Sequence, residues 1–289
     1  YLANPEDYNY PQAIHAAASK LEPDFDIMVY EGTGHPGVGG VVDLSNADVA
    51  KMLDAAVVMV VEGGIGRTID RLIMSMALFR EQNLPLIGVI VNKVIPEKHD
   101  EVTQFVGKKL ERMGIPLLGV VPFDKTLLFP IMETVNEVVG GRVVFNGHRL
   151  NNRVEDIMAG SLVDLNEFSA FRNILLVVSH KRLNEAIEKV KHIAKVKNLK
   201  RTPLSGVIVT GDGKQANWYK PEEMEHPYFI KNEIPVITTQ LDTYGSVVKV
   251  SRIEVKINTR TPWKIKRAIT LIREHVNFDL MIEELQKLS

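Results

Sequence analysis

The stretch DIMVYEGTGHPGVGGVVDLSNADVAKML, Asp26 to Leu53, decides the fold class. Its opening run, Ile27 to Tyr30, has the apolar character that a buried parallel strand needs. Glu31 stands at the end of that run, followed by five glycines within nine residues, Gly32 to Gly40. A helix pattern then starts near Ser45, with Asp48 three positions on as a capping-box-like partner. A strand, an acidic residue at its carboxyl end, a glycine-rich turn and a helix describe a ligand crevice in an open α/β sheet.

The same rhythm extends in both directions. Upstream, Pro11 to Leu21 predicts a helix, with Pro11 at a first-turn position and Ile14, Ala17, Ala18 and Leu21 on one face. Downstream, a second strand at Val57–Val61 ends in Glu62 and the turn GGIG, Gly63 to Gly66. The helix after it carries Ile69, Leu72, Ile73, Met76 and Phe79 at helical spacing. A third strand, Leu86–Val91, ends in Asn92 and Lys93, and a helix from Lys98 to Met113 stops at Gly114. A fourth strand, Leu117–Val121, leads into Pro122, Phe123 and Asp124. Alternation of this kind predicts a mostly parallel α/β sheet with helices on both faces.

Between Val138 and Met158 the pattern changes to glycines, asparagines and short β-like pieces. A domain junction is therefore expected near Asn146, giving domains of residues 1–145 and 146–289. The second domain is a smaller α/β set with strands at Ile174–Val178, Gly206–Thr210 and Pro235–Thr239 and a helix at Asn184–Lys197. Amphipathic helices at Pro262–His275 and Asp279–Leu288 follow.

Composition sets the outer limits. At 289 residues, 45% hydrophobic and 25% charged, the chain is an ordinary globular sequence of about two domains. Its formal net charge of -1 gives no electrostatic case for nucleic acid. The apolar run Ala55–Val61 is too short for a membrane span. The chain has no cysteine, which excludes disulfides, thiolate metal sites and cysteine nucleophiles. With no signal-peptide pattern, the expectation is a cytoplasmic protein. Starting at Tyr1, YLANPEDYNYPQ reads as the middle of a longer polypeptide.

GTGHPG, Gly32 to Gly37, formally satisfies the dinucleotide pattern G-x-G-x-x-G. That fingerprint requires its third glycine inside the first turn of a helix, whereas here Pro36 precedes it and the helix begins about eight residues on. An acidic residue before a glycine-rich backbone instead suits magnesium and an anion. The carboxylate supplies a hard oxygen ligand, and exposed N–H groups form an anion-binding concavity. A mere flexible turn is the alternative. Glu62 with GGIGR repeats the theme, Gly64 allowing close approach and Arg67 able to meet a phosphate; a tight turn with a solvated arginine explains it equally well. No G-x-x-x-x-G-K-[ST] occurs, so these residues are not by themselves the main cradle of a triphosphate. Asn92 and Lys93 end a buried strand, where an amide reads a nucleobase edge and an ordinary turn is the competing explanation. His35 is placed to touch phosphate or substrate, or is simply exposed. Thr210, Gly211 and Asp212 in TGDGK, and Asp242 and Thr243 in LDTYGS, are ligand-loop candidates of the second domain. Turn chemistry accounts for both nearly as well. No paired metal spacing of histidines and no G-x-S-x-G elbow is present.

Taken in order, EGTGHPGVGG, GGIGRTID, GVIVNKV and GVVPFD resemble the dethiobiotin-synthetase-like P-loop domain. That type is also fused at the N-terminus of some phosphotransacetylases and is related to cobyrinic acid a,c-diamide synthase; the resemblance covers about residues 11–140. Residues from about 150 to 260 resemble the DRTGG domain that often accompanies it. LVVSHKR occupies the place of its Gly-Asp-Arg segment, VIVTGDG that of its Thr-Gly-Gly, and LDTYGS that of its Asp-Thr-Tyr stretch.

The resemblance implies that Glu31 binds Mg2+ at the phosphates of ATP or GTP. Gly32, Thr33 and Gly34 would line the acceptor side, and Asn92 would hydrogen-bond the base, with Pro122 and Phe123 walling that end. It implies ATP-dependent activation of a carboxylate or carbamate, a phosphoryl transfer governed by positioning and electrostatics. The family's P-loop lysine and first catalytic lysine are expected upstream of Tyr1. The expected function is thus a nucleotide- and magnesium-binding protein resembling ATP-dependent synthetases, with a regulatory DRTGG domain, acting on a small molecule as a homodimer. The alternative is a non-catalytic small-molecule sensor that controls a partner enzyme.

Overall fold

A computed structural model describes residues 1–160, 171–211 and 220–288. The chain forms two compact units, Tyr1–Phe123 with Ile269–Ser289, and Asp124–Ala268. The first contains α1 (Tyr10–Leu21), α2 (Asn46–Met52), β1 (Val57–Glu62), α3 (Gly66–Glu81), β2 (Leu86–Val94), α4 (His99–Arg112) and β3 (Leu117–Pro122). Its three strands are parallel, in the order β1-β2-β3. Because β1, β2 and β3 read as nearly continuous β-branched and aliphatic runs, they suit a sheet covered by helices rather than one facing water. Leu72 and Met76 of α3 and Val102, Val106 and Leu110 of α4 pack with Val61, Val89, Val91 and Val120. Each such fully buried aliphatic side chain contributes about 1.5–3 kcal/mol. Gly114, at φ 69°, ends α4 where the sequence places the stop.

The expected capping box forms. Ser45 N donates to Asp48 Oδ2 (2.8 Å) and Asp48 N to Ser45 Oγ (3.2 Å), fixing the start of α2.

The expected strand at Ile27–Tyr30 does not form. Residues 27–30 have no regular structure, and Ile27 and Val29 are 54% and 87% exposed. An apolar run becomes a strand only beside a strand that takes its N–H and C=O groups, and β1, β2 and β3 pair only with one another. For the same want of a neighbouring surface, α1 forms but buries only Ala18 of its apolar face.

The second unit contains α5 (Met132–Val139), β4 (Arg142–Phe145), β5 (Asp156–Ala159), β6 (Ile174–Ser179), α6 (Leu183–Val196), β7 (Leu204–Thr210), α7 (Pro227–Lys231), β8 (Val236–Thr239) and α8 (Thr243–Ser251). Its sheet has the order β4-β8-β7-β6-β5, parallel throughout except for β4, which runs antiparallel to β8. One face packs against α6 through Leu183, Ile187, Val190 and Ile193. The other receives Met132, Val135 and Val139 of α5 and Val250 of α8. The junction expected near Asn146 falls inside this unit, since β4 joins its sheet (Val143 opposite Ile237) and α5 packs on Ile208 and Ile237.

Two further helices, α9 (Pro262–His275) and α10 (Phe278–Gln286), end the chain. From Ile269 onward the residues belong to the first unit. There Val276 bridges Gly119, Asn277 N donates to Leu118 O (2.7 Å), and α10 lies against β2 and β3. None of the helices is long and apolar enough, among the described residues, to cross a membrane.

Candidate functional site

The register of the first sheet gathers one group of candidates at its carboxyl edge. Glu62 lies opposite Asn92, and Val94 opposite Pro122. Gly63 N donates to Asn92 O (2.6 Å) and Phe123 N to Val94 O (2.7 Å), so β1, β2 and β3 end together. A Cβ on Gly63 would stand 2.8 Å from Val94 Cα, closer than real contacts allow; glycine is required for that approach. The buried Thr68 hydroxyl donates to Glu62 O (2.7 Å) and ties the first turn of α3 to the end of β1. Gly64 lies in this turn at φ 149° and Arg67 is exposed just beyond it. Glu62 also meets Arg71 at 3.5 Å, an exposed pair that contributes little. Asn92 is half-buried, Lys93 exposed, and Phe123 37% exposed. Asn92, Lys93, Pro122 and Phe123 are thus brought together as neighbours at one edge.

The glycine-rich segment forms a separate group. Asn46 Nδ2 donates to Thr33 O (2.8 Å) and His35 O (3.0 Å), Asn46 N to Val38 O (2.9 Å), and Ala47 N to Pro36 O (3.1 Å). The loop therefore turns carbonyls, not amides, toward the start of α2. The amides of Val38, Gly40, Val42, Asp43 and Leu44 are spent on turns, such as Val38 N to His35 O and Leu44 N to Gly39 O. Gly34 and Gly39 supply the positive φ these turns need, 73° and 102°. Gly37 N donates to His35 Nδ1 (3.2 Å), so that imidazole serves the loop itself.

The amides of Gly32, Thr33 and Gly34 donate to nothing among the described residues, and Glu31 is exposed. This part of the loop keeps free donors beside a carboxylate. It is moored through α2: Gln82 Nε2, just past the C-terminal end of α3, donates to Asp48 Oδ1 (3.0 Å). The sheet-edge group surrounds the other end of α3, a helix of 16 residues and so about 24 Å long. The two groups are not joined by any hydrogen bond or ion pair among the described residues. No set of three metal-ligating side chains occurs there either. Magnesium at a nucleotide needs only one or two carboxylates with the phosphates, so a lone Glu31 is a sufficient donor from the protein.

In the second unit Thr210 and Thr239 lie opposite each other at the ends of β7 and β8. Thr210 Oγ1 is 3.0 Å from Thr243 Oγ1, and Gly211 N donates to Thr239 O (2.9 Å). LDTYGS is the start of α8 rather than an open loop. Asp242 caps the helix by accepting from Gly245 N (2.6 Å), which spends one of its carboxylate oxygens. Asp212 lies outside the described residues.

Sequence reading passed over the backbone conformation of Lys93 and the buried Lys264. Lys93 has a left-handed backbone, φ 58°, inside a strand. Lys264 is fully buried with no hydrogen bond to its Nζ, and burial pushes its ammonium down to about 8. A signal for the second existed: positions 264, 268 and 271 share one face of α9, and a lysine there interrupts an apolar stripe.

Residues 5–130 match the family model of an AAA domain. Over 120 residues, 40% of this chain, the sequence is 32% identical to the cobyric acid synthase of Microcystis aeruginosa, covering 24% of that protein. It is 31% identical over 126 residues, 42% of this chain, to the hydrogenobyrinate a,c-diamide synthase of Thermobifida fusca, covering 25% of it. Over 266 residues, 89% of the chain, it is 24% identical to the phosphate acetyltransferase of Nitratidesulfovibrio vulgaris, covering 37% of that enzyme. The chain thus spans about a quarter to a third of the length of these curated relatives. No solved structure matches it. Residues 5–130 thus resemble an AAA domain and part of the cobyric acid synthases in sequence, and they fold as an α/β unit consistent with a P-loop-NTPase-like architecture.

Proposed function

We propose that the first unit binds a purine nucleotide with Mg2+ and belongs to an ATP-dependent machinery that activates a carboxylate for amide formation. The observation that carries this reading is the sheet edge, where Asn92, Pro122 and Phe123 stand side by side at the carboxyl ends of parallel strands. In α/β sheets that edge is where ligands bind. The amide of Asn92 meets the base, whose face rests on Phe123. Glu31 is read as the oxygen ligand to Mg2+ and the unpaired amides of Gly32, Thr33 and Gly34 as donors to an anionic oxygen. Because their loop is moored near the far end of α3, this reading requires the loop to swing toward the sheet edge when nucleotide binds. Bound nucleotide would supply the phosphoryl group; these residues orient it and balance its charge.

The second unit is read as a DRTGG-like regulatory domain with its ligand position near Thr210, Gly211, Asp242 and Thr243. The whole protein is read as a homodimer. Similarity across both units to about a third of a phosphate acetyltransferase favours a second reading, an accessory module that senses a small molecule and controls an attached or partner enzyme.

Titration of ATP and GTP, with and without Mg2+, tests the first proposal. It is made on this chain and, where the natural polypeptide begins before Tyr1, on that longer protein. Magnesium-dependent binding is expected, and its absence from both ends the reading. Turnover with a carboxylate substrate separates the synthetase from the sensor, and light scattering tests the dimer.

A further inference from the structure

The end of β2 is irregular in a way the strand itself does not require. Between Val91 and Val94 it advances three residues while β3 advances two, from Val120 to Pro122. One residue is therefore bulged out, at Asn92–Lys93. Lys93 adopts φ 58°, which costs a side-chain-bearing residue energy and which no hydrogen bond of its own side chain offsets among the described residues. In that conformation Lys93 N–H donates to Asn92 Oδ1 (2.8 Å). Because the donor is a backbone N–H, the accepting atom of the amide must be its oxygen, which fixes the orientation of the Asn92 side chain. Asn92 O is held in turn by Gly63 N (2.6 Å). A side chain at Gly63 would collide with Val94 Cα (2.8 Å) and crowd Lys93 O (3.0 Å). Asn92 Nδ2 has no partner among the described residues.

We infer that Gly63 and Lys93 are positioning residues of the nucleotide site. Lys93 acts through its backbone, and the two together lock Asn92 so that its NH2 group faces the base as a donor. The inference rests on the nucleotide reading proposed above. Its chemical consequence is that the ligand presents a hydrogen-bond acceptor there, a purine N7 or a ring carbonyl. Bulges of this kind serve to re-aim a side chain next to a site.

The test compares affinities for Mg2+–ATP, Mg2+–GTP and Mg2+–tripolyphosphate, which has no base, among variants of the protein used in the titration above. Lys93→Gly accepts the left-handed backbone and Lys93→Ala removes only the side chain; both lose less nucleotide affinity than Lys93→Val. Lys93→Val, β-branched at positive φ, and Gly63→Ala each weaken nucleotide binding about tenfold while tripolyphosphate binding is unchanged. Retained tripolyphosphate affinity also shows that a variant is folded. Nucleotide binding by Lys93→Val equal to the parent overturns the inference. So does equal loss of tripolyphosphate, which marks a merely structural role, and so does a loss in Lys93→Gly as large as in Lys93→Val. A parent protein that binds the nucleotides no more tightly than tripolyphosphate overturns this inference alone, and one that binds none of the three overturns the nucleotide reading with it.

Discussion

His275 crosses Gly119 so closely that a Cβ on the glycine would stand 2.2 Å from the His275 carbonyl oxygen and 3.0 Å from Val276 Cα. Gly119 and Val276 form an antiparallel bridge, so the return of the chain after α9 is fastened to β3 at a point that only glycine permits. Gly119→Ala should therefore destabilise the protein by about 3 kcal/mol, because backbone rather than a flexible side chain must give way. Gly107→Ala is the control. It sits inside α4, where a Cβ would meet Leu117 Cδ2 at an ordinary 3.5 Å, and it should be neutral or stabilising by up to about 1 kcal/mol. Urea unfolding of the two variants measures both, and equal effects would show that the crossing is loose.

Lys264 carries a stability cost whose pH dependence has a definite sign. Its folded-state value, about 8, lies below the ordinary 10.5 because burial disfavours the ammonium. Between those values the unfolded chain binds more protons than the folded one, so stability rises with pH across that window. Below the folded value the full cost remains; above the unfolded value it is gone. Trp263, whose ring lies 5.2 Å from the Lys264 nitrogen, relieves part of that cost through the ring face. Lys264→Met should be more stable than the parent at pH 7, by roughly 2–3 kcal/mol. The two should converge by about pH 10.5. Chemical denaturation from pH 6 to 10.5 reads the difference, and a gap that does not narrow counts against the buried amine.

Glu155 poses the opposite case. Burial raises its carboxyl, but a hydrogen bond from Asn173 Nδ2 (2.7 Å) and the charges of Arg153 and Arg172 pull it further down, to a net value below the ordinary one. A lowered carboxylate gives stability that is present above its unfolded value and lost as pH falls through the folded one. Arg153 also lies over the Trp263 ring at 5.0 Å, so Glu155 holds a cation that packs on α9. Glu155→Gln should cost about 1–3 kcal/mol at pH 7. That difference should shrink below about pH 4. Thermal unfolding at pH 7 and pH 3 checks both halves, and a cost that persists at pH 3 would mean that packing, not charge, is responsible.

These contrasts mark what the sequence makes legible. The strands beginning at Val57, Leu86 and Leu117, and those of the second unit at Ile174, Leu204 and Val236, are visible because apolar β-branched runs between helical patterns have few other uses. The capping box at Ser45 and the stop at Gly114 are local and equally plain. Ile27–Tyr30 has the same composition as the true strands and is not one, since pairing is decided by a neighbour that periodicity does not reveal. The stretch Asp242–Ser246 reads as a loop because Asp, Thr, Gly and Ser favour turns, yet the same residues start α8. At the sheet edge, residue type pointed to Asn92, and the family resemblance to Phe123. The left-handed Lys93 between Asn92 and Val94 has no sequence signature, because lysine gives no hint of positive φ.

Glu31 and Glu62 are the two carboxylates that follow glycine-flanked apolar runs, and they differ in what holds them. Glu62 is in register with Asn92 and is paired with Arg71 at 3.5 Å. Glu31 is exposed and precedes amides that have no partner among the described residues. Under the proposed nucleotide reading Glu31 is the expected Mg2+ ligand, because of these two carboxylates it alone has no ion pair and adjoins unpartnered amides. Glu31→Gln should therefore lower nucleotide affinity about tenfold in the presence of Mg2+ and leave the affinity measured in EDTA unchanged. Glu62→Gln removes only an exposed ion pair and should change neither by more than about twofold. Calorimetric titration with and without the metal distinguishes them. If Glu62→Gln proves the more damaging of the two under Mg2+, the metal ligand is the carboxylate on the sheet edge and the glycine-rich loop has some other role.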